Sequence, residues 1–188
     1  MRYADDLVIC FSEEEDARRV MAVLPKRFEK YGLRLHPEKT RLVPFGSPNR
    51  RGRAMPAPAT FDFLGFTHFW GRTKKGLWTI TRKTARDRFR RSVRNVRQWC
   101  RANRHRPPDE QYRALVRKLD GHYQYYGITG NSWSLRRFRE EVNRVWAQWL
   151  GRRAQGRTRG LQRKKPLRRY SFPSIRTVHS VLSPRAKP

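Results

Sequence analysis

The chain has 188 residues but few cysteines, and it has no long apolar run. Its two cysteines, Cys10 and Cys100, stand far apart without a CxxC pair, which argues against a disulfide framework or a zinc site and fits a reducing cytosol. No run of 18 apolar residues and no signal-type region is seen at the start, so a membrane is not expected as a partner.

Acidic residues are also scarce, with 15 Asp and Glu against 45 Lys and Arg, for a formal net charge of +30. Such an imbalance favours a polyanionic partner and, with membranes set aside, predicts nucleic-acid binding. Residues 1–40 hold eight residues of each sign, which leaves 37 basic and seven acidic residues in 41–188. We therefore expect chemistry in the first part and the grip on a polyanion in the second.

The pattern of apolar residues predicts an α+β fold. The start reads as strand, turn and strand, with Leu7–Phe11 as a buried strand. Ser12 and Glu15 form a capping-box pattern that predicts a helix to about Lys30, and Pro25 within this run allows a kink or break near Leu24. A strand through Phe45, a loop at 46–60 and a hairpin formed by 61–70 and 77–80 are predicted to follow.

Three apolar stripes at helical spacing predict a bundle of three amphipathic helices after this α/β part. We expect residues 1–82 to form the part that mixes strands and helix, residues 83–152 to form the helical domain, and residues 153–188 to form a basic tail. The tail has little periodicity, so we expect it to be extended or disordered unless RNA or the body of the protein orders it.

The chemically most informative segment is Tyr3-Ala4-Asp5-Asp6. Two adjacent carboxylates repel each other, and a turn needs only one Asp, so the pair suggests a role other than folding. Carboxylate oxygens are ligands for Mg²⁺, which leaves its other positions to water and substrate phosphates. Two such ions can stabilise the attacking and leaving oxygens of phosphoryl transfer. An ordinary acidic turn is the alternative interpretation.

Several segments, in order, resemble motifs of group II intron reverse transcriptases, also called maturases. Arg2–Ile9 is similar to the palm motif in its Tyr-Ala-Asp-Asp form. The later similarities are Tyr31–Thr40 with the next motif, Phe61–His68 with the Phe-Leu-Gly-Phe hairpin, Leu119–Tyr126 with the maturase signature and Val178–Ser180 with the end segment. The resemblance implies a partial polymerase palm, built of antiparallel hairpins and one helix, followed by a three-helix thumb or maturase domain and a basic extended tail.

The resemblance also implies roles for single residues. Asp5 and Asp6 would be catalytic metal ligands in a two-ion Mg²⁺ site, with Asp5 the more direct ligand. Tyr3, Ala4 and Lys39 would lie near the incoming nucleotide. The primer-grip residues would be Phe63, Leu64 and Gly65. Core packing is the alternative for the two apolar side chains, and the glycine suggests a close backbone approach.

The helical domain is the expected RNA-binding part. Its arginines would contact phosphates and its tyrosines could stack on unpaired bases. The candidates are Arg86, Arg90, Arg94, Arg97, Tyr123, Tyr125, Tyr126, Arg136 and Arg137. Aromatic residues at helical spacing also serve as core, and that alternative stays open for the tyrosines and for Trp146 and Trp149.

The activity implied by the resemblance is RNA-directed DNA synthesis by a group II intron enzyme in the bacterial cytoplasm. Its partners would be the intron RNA, an RNA template with a DNA primer, and dNTPs. The family's first catalytic aspartate and its fingers precede this motif, so we expect an incomplete Mg²⁺ site and no DNA synthesis by these 188 residues alone. The alternatives are a non-catalytic, maturase-like RNA-binding protein that assists splicing and a basic, ribosomal-type RNA-binding protein.

Overall fold

The computed structural model describes residues 2, 3, 5–48, 59–73, 75–153 and 169–179. Within these residues the chain forms five strands and four helices, which confirms the α+β prediction. The elements in chain order are β1 (Arg2–Tyr3), β2 (Asp6–Leu7), α1 (Glu14–Glu29), β3 (Phe61–Phe63), β4 (Phe66–Arg72), β5 (Trp78–Thr84), α2 (Arg86–Ala102), α3 (Pro108–Tyr126) and α4 (Ser132–Arg153).

The chain divides into two compact units. The first comprises Met1–Leu64 and His68–Ile80, and the second comprises Gly65–Thr67 and Thr81–Pro188. No helix in the described part of either unit is long and apolar enough to cross a membrane.

The start of the first unit is a short antiparallel hairpin of β1 and β2, in which Tyr3 pairs with Asp6. The prediction of a buried strand over Leu7–Phe11 is wrong. The strand ends at Leu7, and the side chains of Leu7 and Ile9 are 44% and 46% exposed. The reason is that, among the described residues, β1 and β2 form a two-stranded sheet, and so short a ribbon cannot bury an apolar face.

Helix α1 runs without interruption through Pro25, so the predicted break does not occur. The predicted capping box is also wrong, because the N-cap is Glu13 and no side chain caps it. Three acidic residues in the first turn complement the helix dipole instead. Two of them form exposed ion pairs with arginines one turn later, Glu14 with Arg18 at 2.5 Å and Glu15 with Arg19 at 2.7 Å.

Strands β3, β4 and β5 form a three-stranded antiparallel sheet in that order. The predicted hairpin is therefore confirmed and gains a third strand. The strand predicted to run to Phe45 does not form, although Phe45 is anchored by other contacts. Its carbonyl accepts a hydrogen bond of 3.2 Å from Trp70 Nε1, and its ring meets the ring of Phe61 edge-on at 4.9 Å. The predicted loop at 46–60 lies mostly outside the described residues.

The second unit is built on the three predicted helices, α2, α3 and α4. Their apolar stripes meet in one core, which confirms the stripes as the buried faces. The fully or nearly fully buried members of this core are Val96, Cys100, Leu115, Leu119, Tyr123, Leu135, Phe138, Val142, Val145, Trp146 and Phe172. Phe89 packs on Phe138 near the starts of α2 and α4, whereas His122 near the end of α3 stacks on Phe138. Helices α2 and α4 are thus parallel, and α3 is antiparallel to both.

The described part of the basic tail, residues 169–179, is extended and packs on the bundle. Phe172 is 5% exposed, and its carbonyl accepts a hydrogen bond of 2.9 Å from Arg139. Further on, the amides of Val178 and His179 both donate to the carbonyl of Gly127, at 2.6 and 2.9 Å. The body of the protein therefore orders this segment, which was one of the two conditions considered for the tail.

Asn131 joins the end of β5 to the connection between α3 and α4. Its side chain is 1% exposed; Oδ1 accepts from the Thr84 amide, and Nδ2 donates to Thr84 Oγ1 and the Tyr126 carbonyl, all within 2.9 Å.

We predict that Asn131→Ala lowers the free energy of unfolding by about 2 kcal/mol, because buried polar groups lose their partners. Urea unfolding of the variant measures this, with Asn103→Ala as a control at a half-buried helix end. Equal stability of the Asn131 variant and the wild type would contradict the role assigned to these hydrogen bonds.

Candidate functional site

The adjacent carboxylates lie at the reversal between β1 and β2. Asp5 is in the turn and Asp6 opens β2, and both side chains are exposed. Within the described residues, neither carboxylate takes part in an ion pair. Both are therefore accessible to a ligand from solution, as a metal-binding role requires.

The arrangement fits only part of a metal site. Among the described residues, no group of three or more His, Cys, Asp and Glu side chains comes together. Mg²⁺ in phosphoryl-transfer sites is commonly bound by one or two carboxylates, with water and substrate phosphates as the remaining ligands. Asp5 and Asp6 can supply those two carboxylates, and a bound nucleic acid or nucleotide would supply the phosphates.

The three residues predicted to lie near the incoming nucleotide occupy different parts of the chain. Tyr3 is 66% exposed beside Asp6 in the hairpin, while Ala4 lies outside the described residues. Lys39 is exposed in a separate turn, where its amide donates to the carbonyl of His36 at 3.2 Å. In the described part of the chain no hydrogen bond or ion pair links Lys39 to the two carboxylates, so its role stays a prediction.

The predicted primer-grip residues form the tight turn between β3 and β4. Leu64 and Gly65 occupy its two central positions with φ of 50° and 77°, the combination of a type I′ turn. Glycine adopts positive φ without cost, but for leucine the left-handed region costs about 1–2 kcal/mol. Strain of this kind is often kept where a side chain has a function. The side chain of Phe63 is buried. The side chain of Leu64 is half-buried and can contact a ligand.

Leu64→Asn is predicted to raise the free energy of unfolding by about 1 kcal/mol, because Asn-Gly is a preferred pair for type I′ turns. Chemical denaturation tests this, with Leu33→Asn, at an exposed position with no such backbone requirement, as the control. A loss of stability in the Leu64 variant would mean that the packing of the leucine side chain stabilises the protein by more than its backbone strain destabilises it.

Two of the tyrosines proposed for RNA binding pack against Gly65 and Phe66. A Cβ placed on Gly65 would lie 3.3 Å from the Tyr126 hydroxyl and 3.7 Å from the Tyr125 ring, so the close approach of α3 favours glycine here. Phe66 stacks on Tyr125 with centroids 6.1 Å apart and meets Tyr126 edge-on at 5.4 Å. Tyr125 nonetheless remains 55% exposed. It can offer an edge to a nucleic acid while its face stays on Phe66.

The structure corrects the prediction that Tyr123 binds RNA. Its side chain is fully buried in the bundle, and its hydroxyl donates to the Pro173 carbonyl at 3.4 Å. Burial raises the pKa of this phenol to about 12. Stacking of Tyr123 on a base is therefore wrong, because the ring belongs to the core. Trp146 is likewise fully buried, which decides in favour of the core alternative for that residue.

The arginines predicted on α2 lie on one face of the helix. Arg86, Arg90, Arg94 and Arg97 follow each other at spacings of four, four and three residues, and Arg101 continues the series after four more. This spacing keeps the side chains in one stripe along a helix. All five are exposed, and in the described part of the chain none forms an ion pair with an acid. We call these five residues the arginine stripe.

The start of α4 adds a second basic element. Arg137 lies over the rings of both Phe89 and Trp133, at 5.4 and 5.3 Å. Trp133 is 63% exposed, and the neighbouring Arg136 is exposed as well. Exposed Arg–aromatic pairs of this kind are suited to contacts with phosphates and unpaired bases.

The part of the chain that carries the carboxylates is similar to a known family. Residues 1–68 match the model of the family described as reverse transcriptase (RNA-dependent DNA polymerase). These residues resemble a reverse transcriptase domain. No curated protein and no solved structure matches the chain. The reverse transcriptase match includes the Asp5–Asp6 turn, Lys39 and the strained turn at Leu64.

Proposed function

We propose that this chain carries part of the palm and the thumb of a group II intron RNA-directed DNA polymerase. Asp5 and Asp6 would act as metal ligands, and the helical unit would bind intron RNA as a maturase does. The observation that carries the proposal is the reverse transcriptase match over residues 1–68, in which both carboxylates are exposed at a strand reversal. The substrates would be an RNA template with its DNA primer and a dNTP.

The chemistry of the site supports this proposal. Phosphoryl transfer depends on positioning and on neutralising charge, and Asp5 and Asp6 would hold Mg²⁺ ions that supply the neutralising charge. Tyr3 is exposed beside the carboxylates, where a nucleotide could contact it. The turn at Leu64 offers a half-buried apolar surface of the type that could support a primer strand.

The second candidate is a non-catalytic RNA-binding protein that assists intron splicing. It is favoured by the second unit, which has its own apolar core and an arginine stripe without paired acids among the described residues. In this case the nucleic acid would bind in the same way, but the carboxylates would have no role.

The dependence of primer–template affinity on Mg²⁺ separates the two candidates. For the polymerase proposal, fluorescence anisotropy should show tighter binding of an RNA–DNA primer–template in Mg²⁺ than in EDTA at matched ionic strength. Asp5→Asn/Asp6→Asn should abolish that difference. The control Glu14→Gln/Glu15→Gln removes another adjacent acidic pair from the same unit and should retain it.

An affinity that responds to Mg²⁺ equally in all three proteins would contradict metal binding by Asp5 and Asp6 and favour the non-catalytic candidate. An absence of nucleic-acid binding by the wild type would contradict both.

A further inference from the structure

A groove lies at the far end of the arginine stripe. It measures about 780 Å³, within the range of roughly 300–1,000 Å³ that is usual for ligand pockets. It lies between the end of α2, the residues that follow α2, and the end of α4. Its lining consists of Arg97, Gln98, Arg101, Arg104, His105, Trp149 and Arg152.

The charge of the groove points to an anionic ligand. Four of the seven lining residues are arginines, all of them exposed, and none is acidic. In the described part of the chain, no acidic side chain forms an ion pair with any of the four. A concave surface with uncompensated guanidinium groups attracts phosphate esters, which arginine binds through paired hydrogen bonds.

Trp149 adds an aromatic wall to this cationic groove. The indole is half-buried, packs against the bundle core and also lines the groove. The Arg152 guanidinium lies 4.6 Å from the centroid of its ring. A planar base can stack on an indole or on a guanidinium plane, so this pair offers a base a stacking surface.

We propose that this groove binds an unpaired nucleotide of a nucleic-acid strand, with the base against Trp149 and Arg152. Arg97, Arg101 and Arg104 would contact the phosphates on either side of that base. Arg97 and Arg101 also belong to the arginine stripe, so the strand leaving the groove meets further cations along α2. A positively charged track combined with an aromatic side chain is the usual form of a single-strand binding surface. The inference rests on the proposed nucleic-acid function.

The first test compares substitutions in the full chain by anisotropy with a single-stranded RNA of about 12 nucleotides, within the usual 4–16 nucleotide site size. Arg101→Gln/Arg104→Gln should weaken binding about tenfold. Arg113→Gln/Arg117→Gln removes the same charge from exposed positions on α3 outside the groove and should weaken binding about twofold or less. Equal losses in the two variants would overturn the proposal.

The second test addresses the base. Trp149→Leu should weaken RNA binding by about 5- to 150-fold, the range that stacking of one base represents. Because Trp149 also contacts the core, an oligonucleotide with abasic residues serves as a second measurement on the intact protein. The wild type should bind abasic RNA less tightly than normal RNA. The Trp149 variant should bind abasic RNA and normal RNA with equal affinity. Equal binding of abasic and normal RNA to the wild type would overturn the base contact.

A third arm separates a strand from a free nucleotide. AMP should compete poorly with the oligonucleotide, because it carries a single phosphate and lacks those of the neighbouring nucleotides. Competition by AMP at equal nucleotide concentration would overturn the assignment to a strand.

If the wild type binds primer–template and single-stranded RNA but the groove variants match the α3 control, only this inference fails. If the wild type binds no nucleic acid, the proposed function fails as well.

Discussion

The affinity of the chain for RNA is expected to fall by about 10³–10⁵-fold between 50 and 200 mM salt, if six to ten cationic side chains contact phosphates. The arginine stripe supplies five exposed guanidinium groups on one helix face, and Arg136 and Arg137 add two more on α4. Each contact releases counterions from the nucleic acid, so the logarithm of the affinity falls linearly with the logarithm of the salt concentration.

Titration by anisotropy at several salt concentrations measures the slope. Arg86→Gln/Arg90→Gln/Arg94→Gln should reduce the slope by about 2–3, because each phosphate contact contributes about 0.7–0.9. Arg18→Gln/Arg19→Gln/Arg27→Gln removes the same charge from exposed positions on α1 and should leave the slope unchanged. A wild-type affinity that hardly changes with salt would show that the basic surface does not contact phosphates.

The stability of the helical unit is expected to fall by about 3 kcal/mol as the pH drops from 6.5 to about 4, because of His122. The imidazole is 9% exposed and stacks on Phe138 at 3.9 Å and on Tyr126 at 4.6 Å. Burial lowers its pKa from 6.5 to about 4. The unfolded chain therefore takes up a proton below pH 6.5, whereas the folded chain does so only near pH 4. The stability that the neutral imidazole contributes is therefore complete above pH 6.5 and is lost as the pH falls from 6.5 to about 4.

Urea unfolding over this pH range, compared between the wild type and His122→Phe, isolates the contribution of the imidazole from that of the carboxylates. Phenylalanine cannot take up a proton and keeps an aromatic ring between Phe138 and Tyr126. The wild type should lose about 3 kcal/mol more than the variant between pH 6.5 and 4. Parallel pH profiles for the two proteins would contradict the burial of a neutral imidazole at this position.

The helical unit was the part of the fold that sequence patterns predicted best. Stripes such as Leu115, Leu119 and Tyr123 repeat at helical spacing and bury one face, so the bundle follows from periodicity. The same pattern cannot tell a buried aromatic residue from one that binds a base. For that reason the sequence makes Tyr123 a candidate for RNA binding, although the residue belongs to the core.

The first unit was harder to predict because few of its described apolar side chains are buried. The run Leu7–Phe11 has the composition of a buried strand, but burial requires a neighbouring layer that a sequence pattern does not reveal.

The position of Phe172 in the bundle core was also not predictable from the sequence pattern. It comes from a basic, non-periodic tail, and its partner Arg139 is 33 residues away in sequence.

Of the candidate site, the carboxylate turn and the arginines of α2 were accessible from sequence. The hairpin tip follows from two adjacent aspartates between short strands, and Arg86–Arg97 stand out by composition. The groove was missed because Trp149 and Arg152 come from α4, about 50 residues after Arg101. The available signal was the spacing of the arginine stripe, which extends to Arg101.

The binding of Mn²⁺ in place of Mg²⁺ tests the central claim most directly, because electron paramagnetic resonance counts bound ions without requiring DNA synthesis. With an RNA–DNA primer–template and a dNTP, the wild type should bind roughly one or two more ions than Asp5→Asn/Asp6→Asn. Glu14→Gln/Glu15→Gln should bind as many as the wild type. Equal binding of Mn²⁺ by the wild type and the Asp5, Asp6 variant would contradict a polymerase metal site at this turn.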